Sequence, residues 1–188
     1  MLKDRKGVEA ISTEIEKDVA RLELVTDRFG KIGSKPHLEE MNIIAQVNNM
    51  VEYIKKRSGG KVNFLVDSHG TEVIKAFISP PLFDWVIENL LKNALDALEG
   101  KGTIAIQFTE NQQHAIIELS DTGKGISKTN LSKVFKPGFT TKKRGWGLGL
   151  ALSKRIIEKY HAGNIAVKSS ETGKGTTFRI ELNKIANV

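Results

Sequence analysis

The chain has no cysteine among its 188 residues, which excludes disulfide staples and cysteine–zinc sites and fits a reducing, cytoplasmic setting. It has no apolar run long enough to span a bilayer, and no signal-peptide pattern opens it. Two common phosphate-binding patterns are also missing. Neither G-x-x-x-x-G-K-[ST] nor G-x-G-x-x-G occurs, so P-loop and dinucleotide-fold readings are set aside. The net charge of +7 raises the question of nucleic acid, but the lysines are scattered and the basic run at 142–144 falls inside a glycine-rich loop. A solvated basic surface is expected, with no nucleic-acid partner. The apolar fraction of 39% and charged fraction of 27% are those of a soluble globular protein, one ordinary domain plus an appendage.

Between residues 8 and 32, apolar residues keep a seven-residue repeat. Val8, Ile15, Leu22 and Phe29 share one register, Ile11, Val25 and Ile32 the other, and Asp18 interrupts the second. Such a long amphipathic helix either packs on its own domain or meets a partner helix. GSKP at 33–36 breaks it, dividing the chain into 1–34 and 35–188. A helix is expected over 38–57, then strands at 62–66 and 73–79. Ser79 can cap the next helix, Pro80 suits its first turn, and this helix runs to about Leu98. A hairpin at 103–109 and 115–120, a helix over 147–160 and strands at 165–170 and 176–182 complete the pattern. Helices interleaved with hairpins predict an α/β (α+β) two-layer sandwich, a mixed β-sheet covered on one face by helices. The tetrapeptide TGKG occurs at 122–125 and 172–175; one turn is expected to face ligand and the other merely to join strands.

Three segments carry chemistry. In ENLLKNALDAL (88–98), Asn89 and Asn93 are four apart and share a face with Trp85 and Asp96 on a helix apolar almost all round. Amides in such a buried helix need partners or cost about 1–3 kcal/mol each. An amide oxygen is a hard, neutral ligand of the kind magnesium accepts; the plainer reading is that both asparagines satisfy nearby backbone. DTGKGI (121–126) sets a carboxylate before a glycine turn. RGWGLGL (144–150) strings glycines ahead of a helix, whose free N–H groups favour phosphate.

The order of these segments resembles the catalytic ATP-binding domain of two-component sensor histidine kinases, within the gyrase, Hsp90, histidine kinase and MutL superfamily. ENLLKNALDAL resembles the N box, DTGKGI the G1 box, VFKPGFTTK (134–142) the F box, GWGLGL (145–150) the G2 box, and GKGTTFRIEL (173–182) the closing hairpin. The likeness covers roughly 60–184, and it implies the Bergerat ATP-binding fold, ATP and Mg2+ as cofactors, and a protein-histidine kinase. By this resemblance Asn93 is the magnesium ligand, and Asn89 and Lys142 are catalytic, supporting and neutralising the phosphates. Asp121 takes the exocyclic amine of adenine. Gly123, Gly125, Ile126, Phe135, Thr141, Gly145, Gly147, Leu148, Gly149 and Thr177 complete the nucleotide site, with Phe135 and Phe139 anchoring a lid that also carries Lys143 and Arg144. The resemblance further implies that 1–34 holds the second helix of a dimerisation and phosphotransfer hairpin. A homodimer through that helix, an acceptor histidine on the hairpin and a response regulator are the partners it implies.

Two departures bear on the activity. Gyrase- and MutL-like relatives carry a glutamate one turn before the metal asparagine; Asn89 cannot accept a proton there, which disfavours a hydrolase. The family usually has Thr or Ser where this chain has Trp146, and a nucleotide-binding regulatory module without transfer is the alternative. The four histidines, His37, His69, His114 and His161, sit in settings unlike that of a phosphoacceptor, so the acceptor is expected on another chain or segment.

Overall fold

The computed structural model describes residues 36–142 and 145–184. The seven-residue repeat at 8–32, linker residues 33–35, and Lys143 and Arg144 lie outside the described residues. Among the described residues, no helix is long and apolar enough to cross a membrane.

Five strands form the main sheet, in the order β2 (Val62–Asp67), β4 (Gly102–Glu110), β5 (His114–Asp121), β7 (Gly175–Asn183), β6 (Asn164–Glu171). β2 runs parallel to β4 and every other pair is antiparallel, so the sheet is mixed. Alternation of apolar and polar residues decides its two faces. Ile104, Ile106 and Phe108, Ala115, Ile117 and Leu119, and Phe178, Ile180 and Leu182 are buried on one side. On the other side Lys168 donates to both carboxylate oxygens of Glu118 at 2.7 Å, and Arg179 bridges Glu118 and Glu181.

The buried face is covered by helices. The longest, α2 (Pro80–Leu98), packs on β4, β5 and β7. It buries Phe83, Val86, Ile87, Leu90, Leu91, Ala94 and Leu98, and each fully buried large apolar side chain stabilises by about 1.5–3 kcal/mol. α1 (Ile43–Lys55) packs on α2 and β2, burying Ile43, Ile44, Val47, Val51 and Ile54. The predicted two-layer sandwich is the observed one.

Several boundaries differ from expectation. Residues 38–57 are not one helix: β1 (Glu39–Asn42) pairs antiparallel with β3 (Lys75–Ile78) before α1 begins. Asn42 marks the change, its Oδ1 accepting from Ile44 N–H at 3.1 Å as an N-cap. Ser79 occupies the cap position of α2, but its hydroxyl caps nothing. Pro80 and Pro81 bring no N–H to it, and Leu82 N–H goes to the Ser79 carbonyl instead, at 3.1 Å. The helix expected over 147–160 starts at Gly149 as α4 (Gly149–Arg155) and continues as a wider π turn, Ile156–Tyr160. A short helix, α3 (Lys128–Leu131), precedes the lid.

His161 closes the π turn. It is 2% exposed; its Nε2 accepts from Ser79 N–H at 3.0 Å, which leaves the ring proton on Nδ1 to donate to Ile156 O at 3.0 Å. Burial holds its pKa below the usual histidine value.

Candidate nucleotide-binding site

Helix periodicity places Trp85, Asn89 and Asn93 on one half-buried stripe of α2, with Asp96 at its open end. Asn89 Nδ2 donates to Ser153 Oγ at 2.9 Å, tying α2 to α4. Ser153, fully buried, had no signal in the sequence. The first residue of α4 approaches so closely that a Cβ on Gly149 would overlap Asn89 Oδ1. That contact favours glycine: a larger residue displaces the Asn89 amide, and with it the bond to Ser153.

The lid reaches the same stripe from the other side. Lys142 Nζ donates to Asn93 Oδ1 at 2.7 Å and to Asp96 Oδ2 at 2.6 Å, across 49 and 46 residues of sequence. Thr140 Oγ1 shapes the turn before it by accepting from Lys142 N–H at 3.1 Å. Phe135 packs against the core and meets Phe178 edge-on, ring centroids 6.3 Å apart. Phe139 is half-buried, and Thr141 and Gly145 are exposed. Gly138 N–H donates to Gly147 O at 3.0 Å, closing the lid on itself, with Leu148 half-buried ahead of α4. Trp146 stands out of this loop with half of its surface exposed.

Asp121 ends β5 facing the buried side. It is 7% exposed, and its Oδ1 accepts from Gly123 N–H at 2.8 Å. Burial raises its pKa above the usual aspartate value, opposed by the N–H groups of Gly123 and Thr176. Gly123 lies directly on Ala97 at the end of α2, and Lys124 N–H donates to Ala97 O at 3.0 Å. The carboxylate and the asparagine stripe are thereby fixed to one helix.

The second TGKG turn does more than join strands. Gly173 N–H donates to Lys124 O at 2.8 Å, and Ser170 Oγ accepts from Ile126 N–H at 2.8 Å. Gly125, with φ of +67°, sits where a Cβ would overlap Glu171 O. The two like turns dock on each other, and the β6–β7 hairpin buttresses the loop after Asp121.

Thr177 is a correction. Strand alternation turns it to the solvent side, where its Oγ1 pairs with Ser120 Oγ at 2.9 Å. Thr176 is the buried threonine, directly opposite Asp121 in the strand register.

The histidines lie elsewhere. His114 begins β5, at the opposite end from Asp121. His69 is an exposed turn residue beside Asp67, His37 is exposed, and His161 is buried.

Residues 78–185 match the family described as histidine kinase-, DNA gyrase B-, and HSP90-like ATPase. Sensor histidine kinase ZraS of Salmonella typhimurium is 45% identical over 108 residues, 57% of this chain and 23% of that protein. Sporulation kinase E of Bacillus subtilis is 41% identical over 107 residues, 56% of this chain and 14% of its own length. The chain thus spans less than a quarter of either relative. Among solved structures, the catalytic domain of histidine kinase ThkA superposes with a TM-score of 0.69 at 25% identity, covering 79% of this chain and 96% of that one.

Proposed function

Because the chain belongs to the histidine kinase-, DNA gyrase B- and HSP90-like ATPase family, an ATP-binding family, we propose that it binds Mg–ATP between α2 and the two glycine turns and delivers the γ-phosphoryl group to a histidine of a phosphotransfer hairpin. One contact carries this assignment. Lys142, on the lid, reaches Asn93 at 2.7 Å, which brings the resembling N and F segments together, and Gly149 of the G2 segment lies against Asn89 on the same helix.

Each residue's part follows from its chemistry. Asp121 presents a buried carboxylate that can accept the exocyclic amine of adenine; guanine offers an acceptor at that ring position, so ATP is favoured over GTP. Asn93 Oδ1 and Asp96 Oδ2 already accept from one cation, the Lys142 ammonium, and this oxygen pair fits magnesium's preference for hard oxygen donors. A magnesium ion held by Asn93 would offset the charge of the phosphates. Lys142, beside Asn93 and Asp96, would help to neutralise the same phosphates. Asn89, held by Ser153, orders the start of α4 and cannot act as a base toward water, which favours retention of ATP until an acceptor arrives. Residues 1–34 would supply the second hairpin helix and with it a homodimer contact, and a response regulator would take the phosphoryl group onward.

The decisive experiment mixes the chain with a separate hairpin domain bearing an acceptor histidine and labelled ATP. Acid-labile, base-stable label on the hairpin is expected. ATP binding without label identifies a regulatory module, the reading that the exposed Trp146 favours. Steady phosphate release without the hairpin identifies a hydrolase.

A further inference from the structure

Asn93 and Asp96 lie three residues apart on α2, so their oxygens share one face of the helix. Both accept from the same ammonium, Lys142 Nζ, at 2.7 and 2.6 Å. The pair is therefore a cation-holding arrangement filled by a side chain of the lid itself. The ion pair is open to water, with 41% of the Lys142 side chain and 58% of the Asp96 side chain exposed. An ion pair this exposed is weak and readily exchanged.

Resting on the reading of the site as a Mg–ATP site, we propose that Asp96 is a positioning residue of that site: with Asn93 it parks the Lys142 ammonium in the position that the nucleotide's magnesium takes, and the two cations exchange. Parking gives the Asp96 carboxylate a counter-charge, which would otherwise repel a triphosphate. Exchange frees the Lys142 ammonium to move to the phosphates. The position of the Lys142 side chain and the presence of metal are then coupled through one pair of oxygens. Asp96 is the element that makes the coupling: Asn93 alone offers a neutral oxygen with no charge to retain a lysine.

The test measures ATP affinity calorimetrically on the full chain, once with magnesium and once with EDTA. The quantity read is the ratio of the two affinities, the gain from magnesium. It is compared for the unmodified chain, Lys142→Met, Asp96→Asn and the double variant, a cycle that isolates the dependence of one residue on the other. Exchange predicts that Lys142→Met raises the gain roughly three- to five-fold, since metal no longer evicts a lysine held by a weak ion pair. It predicts that the same substitution leaves the gain unchanged in the Asp96→Asn background, where no lysine is held. A rise of equal size in both backgrounds would show plain charge repulsion and overturns the proposal; so does no rise in either. Failure of the unmodified chain to bind ATP at all overturns the site reading itself. Normal ATP binding that is weakened by Asp121→Asn, with a gain indifferent to Lys142, overturns the exchange alone.

Discussion

Ser170 Oγ accepts a hydrogen bond from Ile126 N–H at 2.8 Å, across 44 residues, and so the β6–β7 hairpin holds the loop that follows the Asp121 carboxylate. The same hydroxyl lies 3.1 Å from Gly175 O and 2.9 Å from Thr176 Oγ1. Ser170→Ala removes the acceptor and leaves a part-buried N–H without its partner. The expected loss of stability is about 1–3 kcal/mol, read as a lower urea midpoint. ATP affinity should fall with it, because the loop carrying Gly123 and Gly125 loses one of its ties. An unchanged midpoint with full affinity would show that the hairpin does not position this loop.

The buried histidine gives stability a pH dependence whose sign is fixed. Burial holds the folded pKa of His161 below its ordinary 6.5, so between those two values the unfolded chain binds more protons than the folded one. Stability is fully present above pH 6.5 and declines as pH falls toward the folded value. Protonation also removes the acceptor at Nε2 that Ser79 N–H uses. Urea midpoints at about pH 7.5 and about pH 5.5, on either side of the ordinary histidine value, should therefore separate in the unmodified chain, with the acid one lower. His161→Gln should lower the midpoint at the higher pH and narrow the separation. An equal separation in both proteins would assign the acid loss to other groups.

What could be read from the chain, and what could not, divides along sequence separation. The sheet strands were legible because apolar alternation runs through residues such as Ile104, Ile106 and Phe108, and the asparagine stripe because helical spacing puts Asn89 and Asn93 on one face. β1 was not legible: EEMN has no apolar alternation, and its strand character comes from pairing with β3, far along the chain. Thr177 was misplaced because neighbouring threonines on a strand face opposite ways, so a shift by one residue moves the side chain to the other face. The docking of the two TGKG turns, the Ser153 partner of Asn89 and the Lys142–Asp96 pair join residues far apart in the chain, and no local pattern encodes such contacts.

Trp146 offers a native reporter of the lid. It is 50% exposed in the loop between Lys142 and α4, whereas Trp85 packs against the core. In a Trp85→Phe background, acrylamide should quench the remaining emission efficiently. Mg–ATP should reduce that quenching if the indole is shielded by the bound nucleotide. Quenching that ignores saturating nucleotide would mean that Trp146 takes no part in lid closure, and would strengthen the regulatory-module reading only if phosphotransfer were also absent.

The strongest test of the site is Asp121→Asn. The substitution keeps size and shape, so β5 and its register should survive, and the amide oxygen it introduces can still accept from Gly123 N–H, as the Asp121 carboxylate does at 2.8 Å. What changes is the second oxygen, replaced by a donor amide nitrogen that could not accept from the amine of adenine. A hydrogen bond to a charged group is worth about 1.5–3 kcal/mol, so ATP affinity should fall roughly ten- to a hundred-fold. Stability should not fall in parallel: burial raises the pKa of the native carboxyl, which means that its charged form is disfavoured by the fold and that a neutral amide relieves this cost. Calorimetry and urea denaturation on the same preparation separate the two effects. Intact ATP uptake by a folded Asp121→Asn protein would remove adenine recognition from this residue, whereas lost uptake with an unchanged or higher midpoint places it there.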